Sequence, residues 1–485
     1  MANDTTRVLH PFEIDSYVDK LECIKIEEIL SPRWVIQGCR IVQLSLQAAL
    51  EASQGGHEHV QHSITLRNKG LAIIWHLLVA EAWRLHLLPL LRRHEAAPTS
   101  SLPFMLVLQT ETSAMTLVES LAFHEDAVET LDGLALDVID YCVRQLTDVA
   151  AFAQAERQPL YSPEEAFYTL TGRETRPEAR NRDPESPAGP KSRLGQGGHE
   201  GHESHAEVER EERRVRLTLG CRAVSVLHML SSCRQRLPLC ATTRLTATHD
   251  VVQLLATLLC TSPWKTQHRG KPYVFEDGQW AERGAEGQDG GPALSRTECQ
   301  IWATLHTLLL DPETLAMYEI NSRRRSGLLK LRGLLGDAAL AQVPALEPLA
   351  KWLASLAFVT PQAPRPPPLV TSVAQVGESV AGDWRGRWAG LTDLFSPRFL
   401  TPTPDALAAL ASHMASAWDL EALEALLPDT PACAACGSPA GRRCSRCRSQ
   451  WYCRRECQVK HWPDHKKLCD LVMKEGDTKK KNFIE

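Results

Sequence analysis

The sequence has 485 residues, of which 43% are hydrophobic, and a formal net charge of −5. This composition excludes a wholly disordered or fibrous chain, and the length allows about three domains. The first residues, MANDTTRVLHPFEID, lack the basic start and apolar core of a secretory signal. We therefore expect a protein of the cytosol or nucleus, where cysteines stay reduced.

Residues 1–170 are predicted to form an N-terminal helical region. Within LALDVIDYCVRQLTDVA, Leu134, Val138, Cys142 and Leu146 recur four apart, which is the spacing of one face of an amphipathic helix. Alternating, strand-like runs are few. The sequence therefore favours an all-α fold, an irregular stack of helix pairs loosely like the HEAT or armadillo proteins, although no strict repeat period supports that likeness.

The most apolar stretch, Leu71–Leu91, has the length of a membrane-spanning helix. It is interrupted by four polar or charged side chains: His76, Glu81, Arg84 and His86. Charged side chains are unfavourable at the centre of a membrane-spanning helix. We therefore predict a buried core helix and no transmembrane segment.

Residues 171–214 are predicted to be a disordered polar insert. Over residues 171–207, Leu194 is the only large apolar residue, and no aromatic residue occurs. Such a segment cannot bury enough surface to offset the entropy that ordering would cost.

Residues 215–360 are predicted to be a central helical region. The helices within Val251–Trp264 and Ile301–Leu310 should stop at Ser-Pro and Asp-Pro turn signals, and a short hairpin is expected around Tyr273–Phe275. The sequence PALEP, Pro344–Pro348, has the form Pro-x-Leu-x-Pro. It fits either a helix start with proline in the first turn or a peptide that docks on the chain's own C-terminal segment.

The remaining segments lie on either side of a cysteine-rich region. Residues 361–404 are predicted to be a proline-rich linker with short elements, which separates the main helical body from a helical lead-in at residues 405–432. Residues 470–485 form a basic tail. From residue 433 to the end there are 13 Lys+Arg against 6 Asp+Glu. We interpret this charge as a solvated terminus and expect no nucleic-acid partner.

Residues 433–469 contain seven of the chain's 15 cysteines. The spacing alternates between Cys-x-x-Cys pairs and pairs four residues apart on a helical turn, and spacing alone permits either sequential or interleaved pairing. Eight donors make two closed tetrahedral Zn²⁺ sites with no position left for water, so both metals should be structural. The candidate ligands are Cys433, Cys436, Cys444, Cys447, Cys453, Cys457, His465 and Cys469.

The same segment resembles a MYND-type zinc finger. The resemblance rests on the full ligand pattern, with Trp-Tyr-Cys before one helix and Cys-Gln-Val-Lys-His-Trp after it. It implies interleaved sites, in which one zinc is bound by Cys433, Cys436, Cys453 and Cys457, and the other by Cys444, Cys447, His465 and Cys469.

The resemblance also implies that the segment docks short peptides of Pro-x-Leu-x-Pro type. The positions that resemble the peptide-contacting residues of the family are Ser445, Gln458 and Trp462. The alternative is that Gln458 and Trp462 only complete the small fold.

Three further segments extend the resemblance along the chain: Leu136–Thr147, Thr248–Trp264 and Ser326–Leu335. Together with the finger they resemble the MYND-domain family required to assemble axonemal dynein arms. The resemblance implies a non-enzymatic, co-chaperone-like adaptor in the cytoplasm, with centriolar satellites and the apical region of ciliated cells as further locations. Implied partners are a leucine-rich-repeat assembly factor, dynein heavy and intermediate chains, and a prolyl isomerase linked to heat-shock chaperones.

Two alternative functions share the finger chemistry. A MYND adaptor can recruit transcriptional corepressors in the nucleus, and MYND fingers also occur inside SET-domain lysine methyltransferases. A SET enzyme is disfavoured because only sixteen residues follow Cys469 and no SET-like run of strands precedes Cys433.

Overall fold

The computed structural model describes residues 9–54, 58–156, 159–166, 196–283, 294–358 and 376–417, and, near the C-terminus, residues 433–436, 438, 440, 442–446, 450–463, 465–466 and 469. The described residues fall into two compact units. We call residues 9–418 the body and residues 433–469 the finger.

The first part of the body is helical. The N-terminal helix begins with a capping box, in which the His10 side chain accepts from the backbone and Glu13 accepts from the His10 N–H. Helix α6 packs against α2 and α4. The helices are α1 (Pro11–Asp19), α2 (Pro32–Gln54), α3 (His59–Leu66), α4 (Gly70–Ala82), α5 (Leu88–Arg92), α6 (Leu102–Ala122), α7 (Glu125–Leu131) and α8 (Leu134–Glu156).

The second part of the body packs onto the first through one long helix, α9. This helix contacts α6, α8 and α12, and a Cβ at Gly220 would lie 2.9 Å from Val149 Cγ2, so glycine permits the close approach to α8. The all-α, irregular helical prediction is confirmed. The helices are α9 (Gln196–Ser232), α10 (Leu239–Thr243), α11 (Val251–Thr261), α12 (Arg296–Leu310), α13 (Pro312–Met317), α14 (Ser322–Leu331), α15 (Asp337–Gln342), α16 (Glu347–Ser355), α17 (Val376–Ala381), α18 (Ala389–Phe399) and α19 (Pro404–Ala417).

A small antiparallel sheet lies between α11 and α12. Its strands are β1 (Lys265–His268), β2 (Lys271–Glu276) and β3 (Gln279–Glu282), in that order. Both connections have two residues with positive φ, Arg269-Gly270 and Asp277-Gly278, as tight hairpin turns require. The hairpin predicted around Tyr273–Phe275 is therefore confirmed, and a third strand extends it.

The apolar stretch around Leu71–Leu91 lies within the body as α4, a π-helical turn (Trp83–Leu87) and α5. Residues Gly70–Arg92 are long and apolar enough to span a membrane, but 72% of their most apolar window is buried inside the protein, which supports the predicted core helix. Each polar residue in it has a partner: His76 stacks on Trp34, and His86 stacks on Trp388 with ring centroids 4.5 Å apart.

The two charged residues of this stretch belong to a buried hydrogen-bond network. Arg84 donates from Nε to Glu111 Oε2 at 2.7 Å and from Nη2 to Gln145 Oε1 at 2.8 Å. Gln145 in turn donates to Glu81 at 2.7 Å. Because burial leaves these charges without water, their mutual pairing is what makes them tolerable in the core.

The prediction of a disordered insert at 171–214 is wrong for residues 196–214. Residues 196–214 belong to α9, Val208 is buried, and Arg213 pairs with both Glu165 and Glu209. This part of the segment is rich in Glu and Arg, which favour helix, and Val208 lies seven residues before the buried Val215, on the same face of the helix. Residues 171–195 lie outside the described residues.

The predicted linker at 361–404 does not separate the body from a later helical stretch. Helix α17 packs on α4 and α8, α18 packs on α5, and α19 packs on α2 and α6. Phe399 is buried and stacks on Trp83, with ring centroids 5.0 Å apart. These residues complete the core of the N-terminal helices, whereas residues 361–375 and 418–432 lie outside the described residues.

The Pro-x-Leu-x-Pro sequence at Pro344–Pro348 is part of the body's core. A 3₁₀ turn covers Pro344–Leu346, α16 follows from Glu347, and Leu346 is buried. An extended docking peptide would need Leu346 free, so the self-docking hypothesis is wrong, and the helix start with proline in its first turn is confirmed.

Candidate metal centre

The finger consists of two chain turns, a two-stranded ribbon and a helix. Strands β4 (Arg442–Arg443) and β5 (Trp451–Tyr452) pair antiparallel, and residues 455–463 are helical. The first turn closes through Cys433 N donating to Ser438 O at 2.7 Å, and Cys444 N donates to Gln450 O at 2.8 Å. These hydrogen bonds close short loops that begin at Cys433 and Cys444, and each loop positions a cysteine for metal binding.

One group of donors contains four cysteines: Cys433, Cys436, Cys453 and Cys457. Their sulfur atoms all lie within 4.8 Å of one another. The separations from Cys436 Sγ to Cys453 Sγ and from Cys453 Sγ to Cys457 Sγ are both 3.5 Å, and that from Cys457 Sγ to Cys436 Sγ is 3.8 Å. Tetrahedral zinc with bonds of about 2.3 Å places sulfurs about 3.8 Å apart, so these thiols fit one zinc ion.

A second group contains Cys444, His465 and Cys469, whose ligand atoms also lie within 4.8 Å of one another. All three side chains are buried. Cys447, the predicted fourth ligand, lies outside the described residues. The two groups divide the described ligands in the interleaved manner that the family resemblance implies, because Cys453 and Cys457 join the first Cys-x-x-Cys pair. The donor sets fit two zinc ions.

The electrostatics of the first group differ from one thiol to the next. Burial raises the pKa of Cys433, but hydrogen bonds from the backbone N–H groups of Cys453, Ala435 and Cys436 outweigh burial and lower the pKa to about 6. Hydrogen bonding to Ser438 lowers the pKa of Cys436. Cys453 has its pKa raised to about 12, first by its hydrogen bond to Cys436.

These shifts show what a cation would supply. Crowded thiols cannot all ionise without one, because each new thiolate repels its neighbours, whereas a bound zinc ion favours the thiolate form of all four. In the second group, burial lowers the pKa of His465, which keeps the imidazole neutral as a metal ligand must be. Bound zinc would supply the coordination bonds that stabilise the fold, and the four-cysteine set leaves its metal no reactive position.

The ligands are also the interior of the finger. Six residues form its buried cluster, and four of these are cysteines: Cys433, Cys444, Cys457 and Cys469. Tyr452 and Ala440 complete the cluster. An interior composed mostly of thiols has little apolar area of its own, so metal bonding must stabilise what a hydrophobic core would stabilise elsewhere.

A groove of about 520 Å³ lies on the finger, and it brings together the three predicted peptide-contacting residues Ser445, Gln458 and Trp462. Ser445 is exposed in the turn after β4, while Gln458 and Trp462 are half-buried, four residues apart on one face of the helix. This spacing aligns an amide and an aromatic ring along the groove.

Sequence reasoning missed the other residues of the groove. Tyr452 and Val459 add apolar surface, and four arginines line it as well: Arg442, Arg443, Arg454 and Arg455. The two Arg-Arg pairs are a visible signal in the sequence, but the positive charge from residue 433 onward predicts only a solvated terminus. His461 was not predicted to have a role, and its Nδ1 lies 3.1 Å from the Tyr452 hydroxyl, so it fixes that ring.

Comparison with known proteins identifies the family of the finger. Residues 433–469 match the family described as MYND finger. The chain is 26% identical over 486 residues to the "Zinc finger MYND domain-containing protein 10 homolog" of Drosophila melanogaster, which covers 95% of this chain and 98% of the relative.

A second similarity is local. Over 43 residues, or 9% of this chain, it is 49% identical to "Ubiquitin C-terminal hydrolase 15" of Oryza sativa subsp. japonica, and the match covers 4% of that enzyme. No solved structure matches the chain. Residues 433–469 are therefore a MYND finger, and the chain as a whole is similar to a zinc finger MYND domain-containing protein 10 homolog over 95% of its length.

Proposed function

We propose that the protein is a non-enzymatic adaptor for the pre-assembly of axonemal dynein arms in the cytoplasm. The finger docks a short peptide of a partner protein, and the helical body supplies the surface for client chains. The observation that carries the proposal is a groove on a finger whose four-cysteine donor set leaves its metal no open position, because such a finger binds rather than catalyses. The similarity along the whole chain supports the dynein-arm assignment through the family resemblance.

In this mechanism the zinc ions hold the groove's two walls together. Ser445 follows β4, whereas Gln458 and Trp462 belong to the helix that also carries Cys457. The leucine of a Pro-x-Leu-x-Pro peptide packs on Trp462, and Gln458 hydrogen-bonds the peptide backbone. Large aromatic anchors commonly supply most of the binding energy of such interfaces.

The direct test uses the full-length protein and a fluorescent Pro-x-Leu-x-Pro peptide. Trp462→Ala should weaken binding by at least about 2 kcal/mol, or roughly thirtyfold, while the protein retains two zinc ions per chain. Lys460→Ala, on the same helix but outside the groove, should bind like the original protein. Unchanged binding by Trp462→Ala would move the interface elsewhere.

The cellular test compares proximity labelling in multiciliated cells with and without residues 433–469. We expect the intact protein to label a leucine-rich-repeat assembly factor, dynein chains and a chaperone-linked prolyl isomerase, with the first of these lost on deletion. Fractionation that finds the bulk of the protein on chromatin, with corepressors labelled instead, would replace this proposal with nuclear recruitment.

A further inference from the structure

The peptide groove of the finger carries a strong positive charge. Nine residues line it, and four of these are arginines, whereas none is an aspartate or glutamate. Across the described residues of the finger there are seven cationic side chains and one carboxylate, that of Glu456. Two loaded zinc sites of the predicted composition contribute net charges of about −2 and −1, which leaves the finger surface positive.

The four arginines are held differently. Arg443 lies over the Trp451 ring, with its guanidinium carbon 4.3 Å from the ring centroid, and Arg454 hydrogen-bonds Cys457. Arg442 and Arg455 are exposed, and within the part of the finger that the structure describes neither pairs with a carboxylate. Two guanidinium groups at the rim of the groove are therefore available to an incoming anion.

The same groove also has apolar lining. Tyr452 is buried, Val459 is 65% exposed, and Trp462 is half-buried. An aromatic ring and an exposed valine can accept an aliphatic side chain, and the groove's arginines come from two elements, with Arg442 in β4 and Arg455 in the helix. The arrangement matches an extended peptide with an apolar centre and acidic ends.

Building on the proposed function, we propose that the partner peptide of this finger carries carboxylates on both sides of its leucine, which Arg442 and Arg455 bind. Nucleic acid is the less favoured ligand. It would need a longer track of phosphate contacts, whereas here the charges surround one short apolar groove and Arg443 is stacked against the finger's own Trp451.

The test uses full-length, zinc-loaded protein and two labelled peptides. Both have a Pro-x-Leu-x-Pro core; one is flanked by Asp and Glu, and the other by the isosteric Asn and Gln. By fluorescence anisotropy at about 50 mM salt, the acidic peptide should bind about tenfold tighter. This preference should shrink at about 300 mM salt, where exposed ion pairs are screened.

Charge removal locates the effect. The double variant Arg442→Gln/Arg455→Gln should bind both peptides equally, whereas Lys460→Gln/Lys466→Gln, which removes two exposed cations outside the groove, should keep the preference. Zinc content of two ions per chain in every variant confirms that the finger is folded.

The outcomes separate the two proposals. Equal binding of both peptides by the original protein overturns the acidic-partner proposal and leaves peptide docking intact. If neither peptide binds the zinc-loaded protein, docking itself fails. A single-stranded RNA that binds tighter than the acidic peptide and is lost in the arginine double variant assigns the groove to nucleic acid. Phosphoserine flanks that bind at least tenfold tighter than carboxylate flanks overturn the carboxylate assignment.

Discussion

The body and the finger reach a stable interior by opposite means. The body buries many large side chains, including Trp34, Trp83 and Trp302, and it tolerates a charged network in that core. The finger's buried cluster is mostly thiols. A large core distributes stability over many contacts, whereas a metal cluster concentrates it in a few bonds. One substitution should therefore cost the body a fraction of its stability and the finger all of it.

The largest effect is expected from the removal of one zinc ligand of the finger. Cys457→Ala or His465→Ala should unfold the finger, because structural zinc contributes about 10–16 kcal/mol in small finger peptides. Mass spectrometry should show lost zinc, while the thermal transition and circular dichroism of the body remain.

The matched control for ligand removal is Cys260→Ala, which deletes an exposed thiol of the body. It should change neither zinc content nor the body's transition. A finger that stays protease-resistant and peptide-binding in the Cys457→Ala protein would contradict the view that metal replaces its core.

The next largest effect is expected in the buried network of the body. Arg84→Met leaves the Glu111 carboxylate buried without its bidentate partner, and breaking a buried ion pair in this way costs about 3–5 kcal/mol. Denaturant unfolding should report the loss, with zinc content unchanged.

Two further variants test whether the buried charge causes that loss of stability. Arg33→Met removes an arginine from an exposed pair with Glu22 and should have a much smaller effect. The double variant Arg84→Met/Glu111→Leu should recover part of the loss, because it removes the stranded charge. No recovery would mean that packing, and not charge, sets the penalty.

The body and the finger should also differ in how their stability depends on pH. Burial lowers the pKa of His76 to about 3, while the unfolded chain takes up its proton near 6.5. The unfolded state therefore binds more protons below pH 6.5, and body stability falls as pH falls, by about 2 kcal/mol from this group at about pH 5. In His76→Leu this part of the pH dependence should vanish.

Other groups of the body titrate in a different window. Burial raises the pKa of Asp140, but hydrogen bonds from His249 and Arg244 lower it to about 2, so its contribution is lost only below about pH 4.

Protons also compete with zinc for the finger's thiolates. Added zinc should shift the acid midpoint of the finger and leave that of the body where it was; a shift in both would show that the units do not unfold separately.

The same contrast explains what the sequence could predict. Ligand spacing is local, so the ligand pairs Cys433/Cys436 and Cys453/Cys457 each follow from residues a few positions apart, whereas spacing does not decide that these two pairs share one metal. The partners of Arg84 lie 27 and 61 residues away, and no local pattern indicates them. The prediction from composition that residues 196–214 are disordered is wrong, because a polar helix on the body and a solvated segment have similar compositions. They differ in packing, and here Val208 is buried in the body.

The smallest effect expected is the loss of a single helix cap in the body. Ser295 Oγ accepts from Glu298 N at 3.2 Å, and Ser295 N donates to Glu298 Oε2 at 2.8 Å, which caps α12. Ser295→Ala should cost about 1 kcal/mol, measured by denaturant unfolding. Ser322→Ala, an exposed serine in the first turn of α14, serves as the control and should change little. Because α12 is also held by its contacts with α9, a loss of several kcal/mol would mean that the body, like the finger, depends on single bonds.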